Sequence, residues 1–364
     1  MTTSDRDYII AFSYLGKIGP ARFTKLRSVF STLKEAWNAN AESLREAGLP
    51  QDAVDELLAV REKLDFNSIF SRFEREKISV VTIDDEAYPE QLREIHYAPF
   101  ILYYRGAWPS DWSSVFGIVG TRKPSAYGKL VTPVFAQGLA RSGVIVASGL
   151  ALGIDSLTHE GVLSAGGVTV AIIGSGVDEP SIYPPGNKLL ARRIIEGGGA
   201  IISEYPPGMT ARKQHFPARN RIIAGLSRGV MVVEAQARSG ALITAYCALE
   251  QNRDVFAVPG PITSPLSDGP NDLLKRGAVV VTDIPDILNF YGYSSDSVSE
   301  KKTVAFASDI ERDIYGFLST EPQHVDSVTE ALALDSATVT STLLIMEMNG
   351  LVRNVGFMQY VRAV

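Results

Sequence analysis

From residue 78 to 283 the chain repeats one unit: a short apolar run rich in β-branched residues, then a longer stretch with helical spacing. The runs are ISVVTI (78–83), FILYY (100–104), SVFGIVG (114–120), GVIVAS (143–148), VTVAIIG (168–174), GAIISEY (199–205), GVMVVEA (229–235), DVFAVPG (254–260) and GAVVVTD (277–283). None alternates strictly between apolar and polar, which is how strands covered on both faces read. Between them, segments such as KLVTPVFAQGLARSG (129–143) and ALITAYCALEQN (241–252) carry helical spacing. Strand–helix repetition of this length predicts an α/β fold built on a doubly wound, mostly parallel sheet.

The pattern changes on either side. Residues 8–75 read as short helices, with a Gly-x-x-Gly-Pro turn at Gly16, Gly19 and Pro20. Such a turn suits a helix-hairpin-helix element whose amides meet a phosphate, and equally a plain tight corner between helices. YGYSSDSVSEKKT (291–303), rich in serine and charge, reads as a linker. Beyond it, three helical segments ending in DSATVTSTLLIMEMNG (335–350) precede a strand–turn–strand, LVRNVGFMQYVRA (351–363), the order of a winged helix. The expected division is a helical domain of SAM or helix-hairpin-helix type over 1–76, the sheet domain over 77–290, a linker over 291–305 and a winged-helix domain over 306–364.

The single cysteine, Cys247, excludes an intrachain disulfide and suits a reducing compartment. Four scattered histidines supply no metal site of standard ligand spacing, so no metal is expected. The start MTTSDRDYII lacks the basic and apolar regions of a secretory signal, and no apolar stretch approaches the ~20 residues of a membrane span. A cytoplasmic protein without membrane attachment is expected. Net charge is −6, yet the charge is sorted by region. Residues 205–233 carry Arg212, Lys213, Arg219, Arg221 and Arg228 and no acid, whereas 306–364 carries three basic residues against eight acidic.

In an open parallel sheet, ligands bind beyond the carboxyl ends of the strands. The loops there hold Thr121-Arg122-Lys123, Ser148-Gly149-Leu150-Ala151, Ser175-Gly176 and Arg238-Ser239-Gly240. Small residues running into helix starts leave backbone N–H groups free for an anion. The first loop, GIVGTRKPSAYG, is not the Gly-x-Gly-x-x-Gly of a dinucleotide site, and no Walker loop occurs, so no cofactor is expected. Arginine beside an aromatic, as in FPARNR (216–221), instead suits the phosphates and base faces of a single strand.

These residues resemble a known family. VGTRKPSAYG, ASGLALGIDSLTHEG, YPPGNKLL, SEYPPG, FPARNRIIAGLSRGVMVVEA, RSGALITA and FAVPG follow, in order, the signature of the DNA-processing proteins DprA, also called Smf. The resemblance spans roughly residues 80–285. It implies an extended Rossmann-like domain that binds single-stranded DNA, dimerises and loads the RecA recombinase onto that strand during natural transformation. It places the DNA pocket on Arg122, Ser148, Gly149, Lys188, Phe216, Arg219, Asn220, Arg221, Ser239 and Gly240. One departure is Leu152, where family members often carry a basic or polar residue.

The same residues admit plainer roles. Arg219 and Arg221 can pair with Glu204 or Glu234, Asp155 reads as a helix N-cap, and His159 as a packed histidine. An enzyme reading, similar to the cytokinin-activating phosphoribohydrolases, lacks its PGGxGT loop, since this chain has RSGALITA there. A winged-helix regulator is opposed by a candidate recognition helix without Lys or Arg. For the dimer, Leu273 and Leu274 of NDLLKRGAVVV (271–281) are expected to face a second subunit.

Overall fold

The computed structural model describes residues 4–292, 306–319 and 321–362, so most of the expected linker lies outside the described residues. The chain forms two compact units, 1–298 and 299–364.

In the first unit each of the nine apolar runs forms a strand. They are β1 (Ser79–Thr82), β2 (Ile101–Gly106), β3 (Val115–Val119), β4 (Ile145–Ser148), β5 (Thr169–Ile172), β6 (Ala200–Ser203), β7 (Gly229–Val232), β8 (Asp254–Ala257) and β9 (Val279–Val280). They make one sheet in the order β1-β2-β6-β5-β4-β3-β7-β8-β9. Every residue of β3, β5, β6 and β7 is buried, so these runs carry no polar face. The pairs β1–β2 and β2–β6 are antiparallel and the rest parallel. After building outward from β3 to β6, the chain returns to lay β7 on the other side of β3. The order reverses there, which opens a crevice at the carboxyl ends of β3, β4 and β7.

Six helices between Asp5 and Glu76 share a core with this sheet. Phe23 stacks on Phe100 at 4.0 Å, and the hydroxyls of Ser13 and Tyr103 lie 2.6 Å apart. Arg72 reaches the buried carboxylate of Asp178 at 2.9 Å. At the Gly16–Pro20 turn, the amides of Gly16 and Lys17 donate to the two carboxylate oxygens of Glu56, at 3.1 and 2.9 Å. The chain's own carboxylate thus takes the position a phosphate would take.

The second unit has helices Asp309–Phe317, Val325–Leu332 and Ser336–Met348, and strands β10 (Gln323–His324), β11 (Val352–Gly356) and β12 (Gln359–Arg362) in the order β10-β12-β11. This is a winged helix. Its short β10, with no apolar signal of its own, was not legible as a strand. Among the described residues, no single helix is long and apolar enough to cross a membrane.

Candidate nucleic-acid interface

A cavity of about 250 Å³ opens at the switch point of the sheet. Three helices begin on it: Ile154–Ser164, His215–Leu226 and Gly240–Glu250. Their first turns contribute Asp155, Phe216, Pro217, Gly240 and Ala241 to the lining. First-turn N–H groups lack intrahelical acceptors and carry the positive end of the helix dipole, so the three starts favour an anion, although the Ile154 and Ala241 amides are taken and Pro217 has none.

Arg122 lines the cavity from the loop after β3 and is exposed. Its guanidinium carbon lies 5.2 Å from the centre of the Phe216 ring. The loop is held from below, where the Ile154 amide donates to the Thr121 carbonyl at 3.1 Å. Gly153 permits that approach: its φ is +81°, and a Cβ there would stand 2.4 Å from the Thr121 carbonyl oxygen. Gly153, not Asp155, holds the N-cap position of its helix. Asp155 sits in the first turn instead, accepting the Ala151 amide at 3.3 Å, which corrects the expected cap. Burial pushes its carboxyl above the usual range, against the pull of the Arg219 charge.

Arg219 is buried beneath the cavity. Its Nη1 donates to the carbonyls of Gly149, at 2.6 Å, and Ile172, and its Nε donates to Asn220 Oδ1 at 3.2 Å. Asn220 in turn donates to the Gly240 carbonyl at 3.1 Å. A Cβ at Gly149 would stand 2.5 Å from the Arg219 guanidinium, so glycine makes room for it. Burial lowers the Arg219 pKa to about 10, leaving the side chain charged at neutral pH. It ties two strand ends to the helix starts and puts a positive charge under the cavity floor.

Arg221 turns the other way. It pairs with Glu204, both side chains being largely buried, and is absent from the cavity lining. Glu234 accepts the Ser125 amide at 2.9 Å and takes neither arginine. The Ser148 hydroxyl is fully buried and donates to the Ile118 carbonyl at 2.7 Å. Lys188 opens the helix Lys188–Glu196, with Nζ 3.4 Å from the Pro180 carbonyl, also outside the lining. Ser239 caps its helix by accepting the Ala241 amide at 3.3 Å and stands at the cavity edge with Gly240. The structure therefore gathers Arg122, Phe216, Arg219, Asn220, Ser239 and Gly240 on one cavity. Ser148, Lys188 and Arg221 are not on it.

Beside the cavity, a slot of about 40 Å³ is lined by Gly149, Leu152, Tyr183, Pro184 and Phe216, among others. The Tyr183 and Phe216 rings are 5.7 Å apart at 48°. Tyr183 and Thr244 were missed as site residues, although YPPGNK displayed the tyrosine in the sequence. Exposed cations Lys123, Arg212, Lys213 and Arg238 stand on the loops that lead to the cavity. His159 is fully buried, its Nδ1 2.7 Å from the Thr169 hydroxyl, and burial lowers its pKa to about 3.

Comparison with known proteins identifies the family of the chain. Residues 79–292 match the model of DNA recombination-mediator protein A, and 299–356 that of the DprA winged helix domain. Protein Smf of Escherichia coli is 36% identical over 85% of this chain and 84% of its own length. DNA processing protein DprA of Streptococcus pneumoniae is 46% identical over 59% of this chain and 75% of its own. The solved structure of DprA from that species matches with a TM-score of 0.66 at 35% identity, covering 79% of this chain and 98% of that one. A Helicobacter pylori structure concerned with the single-stranded DNA binding mode of DprA matches with a TM-score of 0.53 at 29% identity, covering 60% of this chain and 98% of that one. With its sheet domain and winged helix both matched, the chain belongs to the DNA recombination-mediator protein A family.

Proposed function

We propose that this protein binds single-stranded DNA across the switch-point cavity without catalysing a reaction. The observation that carries the reading is the meeting of Arg122, Phe216 and three helix starts on one cavity. Phosphates go to Arg122 and the free amides, and a base lies against Phe216 and Tyr183. Asp155, the carboxylate in the lining, is held by the Ala151 amide and faces the Arg219 charge, an arrangement for support rather than proton transfer. Base edges are not read by this arrangement, so binding is tolerant of sequence.

From family membership we further infer a cytoplasmic protein that dimerises and passes the strand to RecA in natural transformation, with the domain division given above. The expected dimer contact needs revision. Leu273 is 2% exposed and belongs to the core, because its face of the helix Asp268–Lys275 turns onto the sheet. Half-buried Leu274 and exposed Val280 on the edge strand β9 are the side chains left for a partner subunit.

A fluorescence anisotropy titration with a labelled single strand, the matching duplex and a mononucleotide tests the reading. The single strand should bind tightest, with log K falling by about 0.7 per phosphate neutralised for each decade of salt. Mononucleotide binding as tight as that of the strand would instead indicate a nucleotide-processing site.

A further inference from the structure

The winged-helix unit turns an apolar face outward where a reader of DNA carries its cations. Helix Ser336–Met348 buries Val339, Leu343 and Met346 in the core of its unit. It leaves Leu344, Ile345 and Met348 exposed to 55%, 50% and 81%. The spacing i, i+1, i+4 puts these three on one face. The wing between β11 and β12 is apolar too, with Val355, Phe357 and Met358 all exposed. Glu347 accepts the Asn354 amide at 2.9 Å and so fastens the wing beside the last turn of the helix. Together these side chains expose on the order of several hundred Å² of apolar surface, the range in which a patch marks an interaction site.

Duplex DNA does not fit this face. The helix has no Lys or Arg. Arg362 is spent on the Tyr315 and Gly316 carbonyls at 2.7 and 2.8 Å and Arg312 on Asp309 at 2.6 Å, which leaves exposed Arg353 of β11 as a single cation against eight acids. A second copy fits poorly as well. Three arginines against eight acids leave residues 306–364 at −5, and two such units repel. We propose that the face formed by Leu344, Ile345, Met348 and the wing docks an amphipathic helix of a partner protein, whose apolar stripe is rimmed by Lys and Arg. Apolar burial supplies the affinity, and the net charge of −5 over residues 306–364 selects the sign of the rim.

The test uses the full chain and a labelled 18-residue helical peptide with Leu at i, i+3, i+4 and i+7 and Lys on the flanking positions. A matched peptide carries Glu for Lys. The variant Leu344→Ser/Ile345→Ser/Met348→Ser changes only exposed side chains, and its melting curve and single-strand affinity report that the fold is kept. The Lys peptide should bind the wild type at micromolar concentration, at least tenfold weaker to the triple variant, and weaker in high salt. The Glu peptide should bind at least tenfold more weakly than the Lys peptide. The proposal is overturned by equal binding of the Lys peptide to wild type and variant, or by no binding to the wild type at millimolar peptide. Equal binding of both peptides overturns it too. So does a triple variant that loses self-association or duplex binding shown by the wild type, since the occupant would then be a second copy or DNA.

Discussion

The guanidinium carbon of Arg122 stands 5.2 Å from the centre of the Phe216 ring, so the cation and the stacking surface of the cavity are one assembly. Arg122 is exposed, with its guanidinium over the Phe216 ring. Arg122→Glu should therefore leave the melting temperature unchanged and remove most single-strand binding. Arg122→Ala should weaken it roughly tenfold and lower the salt slope by about 0.7. Normal affinity in the folded Glu variant would place the strand elsewhere.

Phe216 and Tyr183 should act together. Loss of base stacking costs about 1–3 kcal/mol per base, so Phe216→Ala should weaken binding by roughly five- to 150-fold. Phe216→Trp should retain it, and Tyr183→Ala should cost less than Phe216→Ala, because Arg122 lies over the phenylalanine ring. Equal affinities for oligothymidine and for an abasic strand of the same length would remove the stacking role.

Arg221 and Glu204 predict the opposite division between stability and binding. Both are largely buried, and removing one partner of such a pair leaves an uncompensated charge at a cost of about 3–5 kcal/mol. Arg221→Met should destabilise by that order in urea while single-strand affinity changes less than threefold. Arg221→Met/Glu204→Leu should recover much of the stability. A large loss of affinity in the double variant, once folded, would return Arg221 to the interface.

His159 predicts a pH dependence. Burial holds its pKa at about 3 against an ordinary 6.5, so between these values the unfolded chain binds a proton that the folded chain does not. Stability should rise with pH across that window and fall as the pH drops from 6.5, by up to about 1.4 kcal/mol per pH unit from this group. Urea melts of wild type and His159→Asn at pH 5, 6 and 7 should show a steeper slope in wild type, with buried His215 contributing to both. An identical slope in both would assign it to other groups.

Leu273 and Val280 separate fold from assembly. Leu273→Asp buries a charge in the core and should unfold the first unit rather than release monomers. Val280→Asp, at an exposed position on the edge strand, should keep the fold and lower the mass seen by light scattering. An unchanged dimer mass in the Val280 variant would move the interface off β9.

What the sequence determined by itself was whatever depends on neighbours along the chain. The nine strands were legible because each is a short apolar run without strict polar alternation, buried throughout in β3, β5, β6 and β7. The loops of the cavity were legible because small residues at strand ends lead into helices. Tertiary structure decided what depends on direction. Arg219 and Arg221 are identical in type and two residues apart, yet the helix turn sends one under the cavity and the other to Glu204. Leu273 and Leu274 are equivalent in composition, and only packing against the sheet distinguishes core from surface. The amides of Gly16 and Lys17 looked open to phosphate until folding brought Glu56, some forty residues away, against them. Tyr183 joins Phe216 only because β5 and its following loop lie beside the helix that begins at His215. Periodicity is written locally in the chain, whereas the partner of a charge or a ring is fixed by residues far along it.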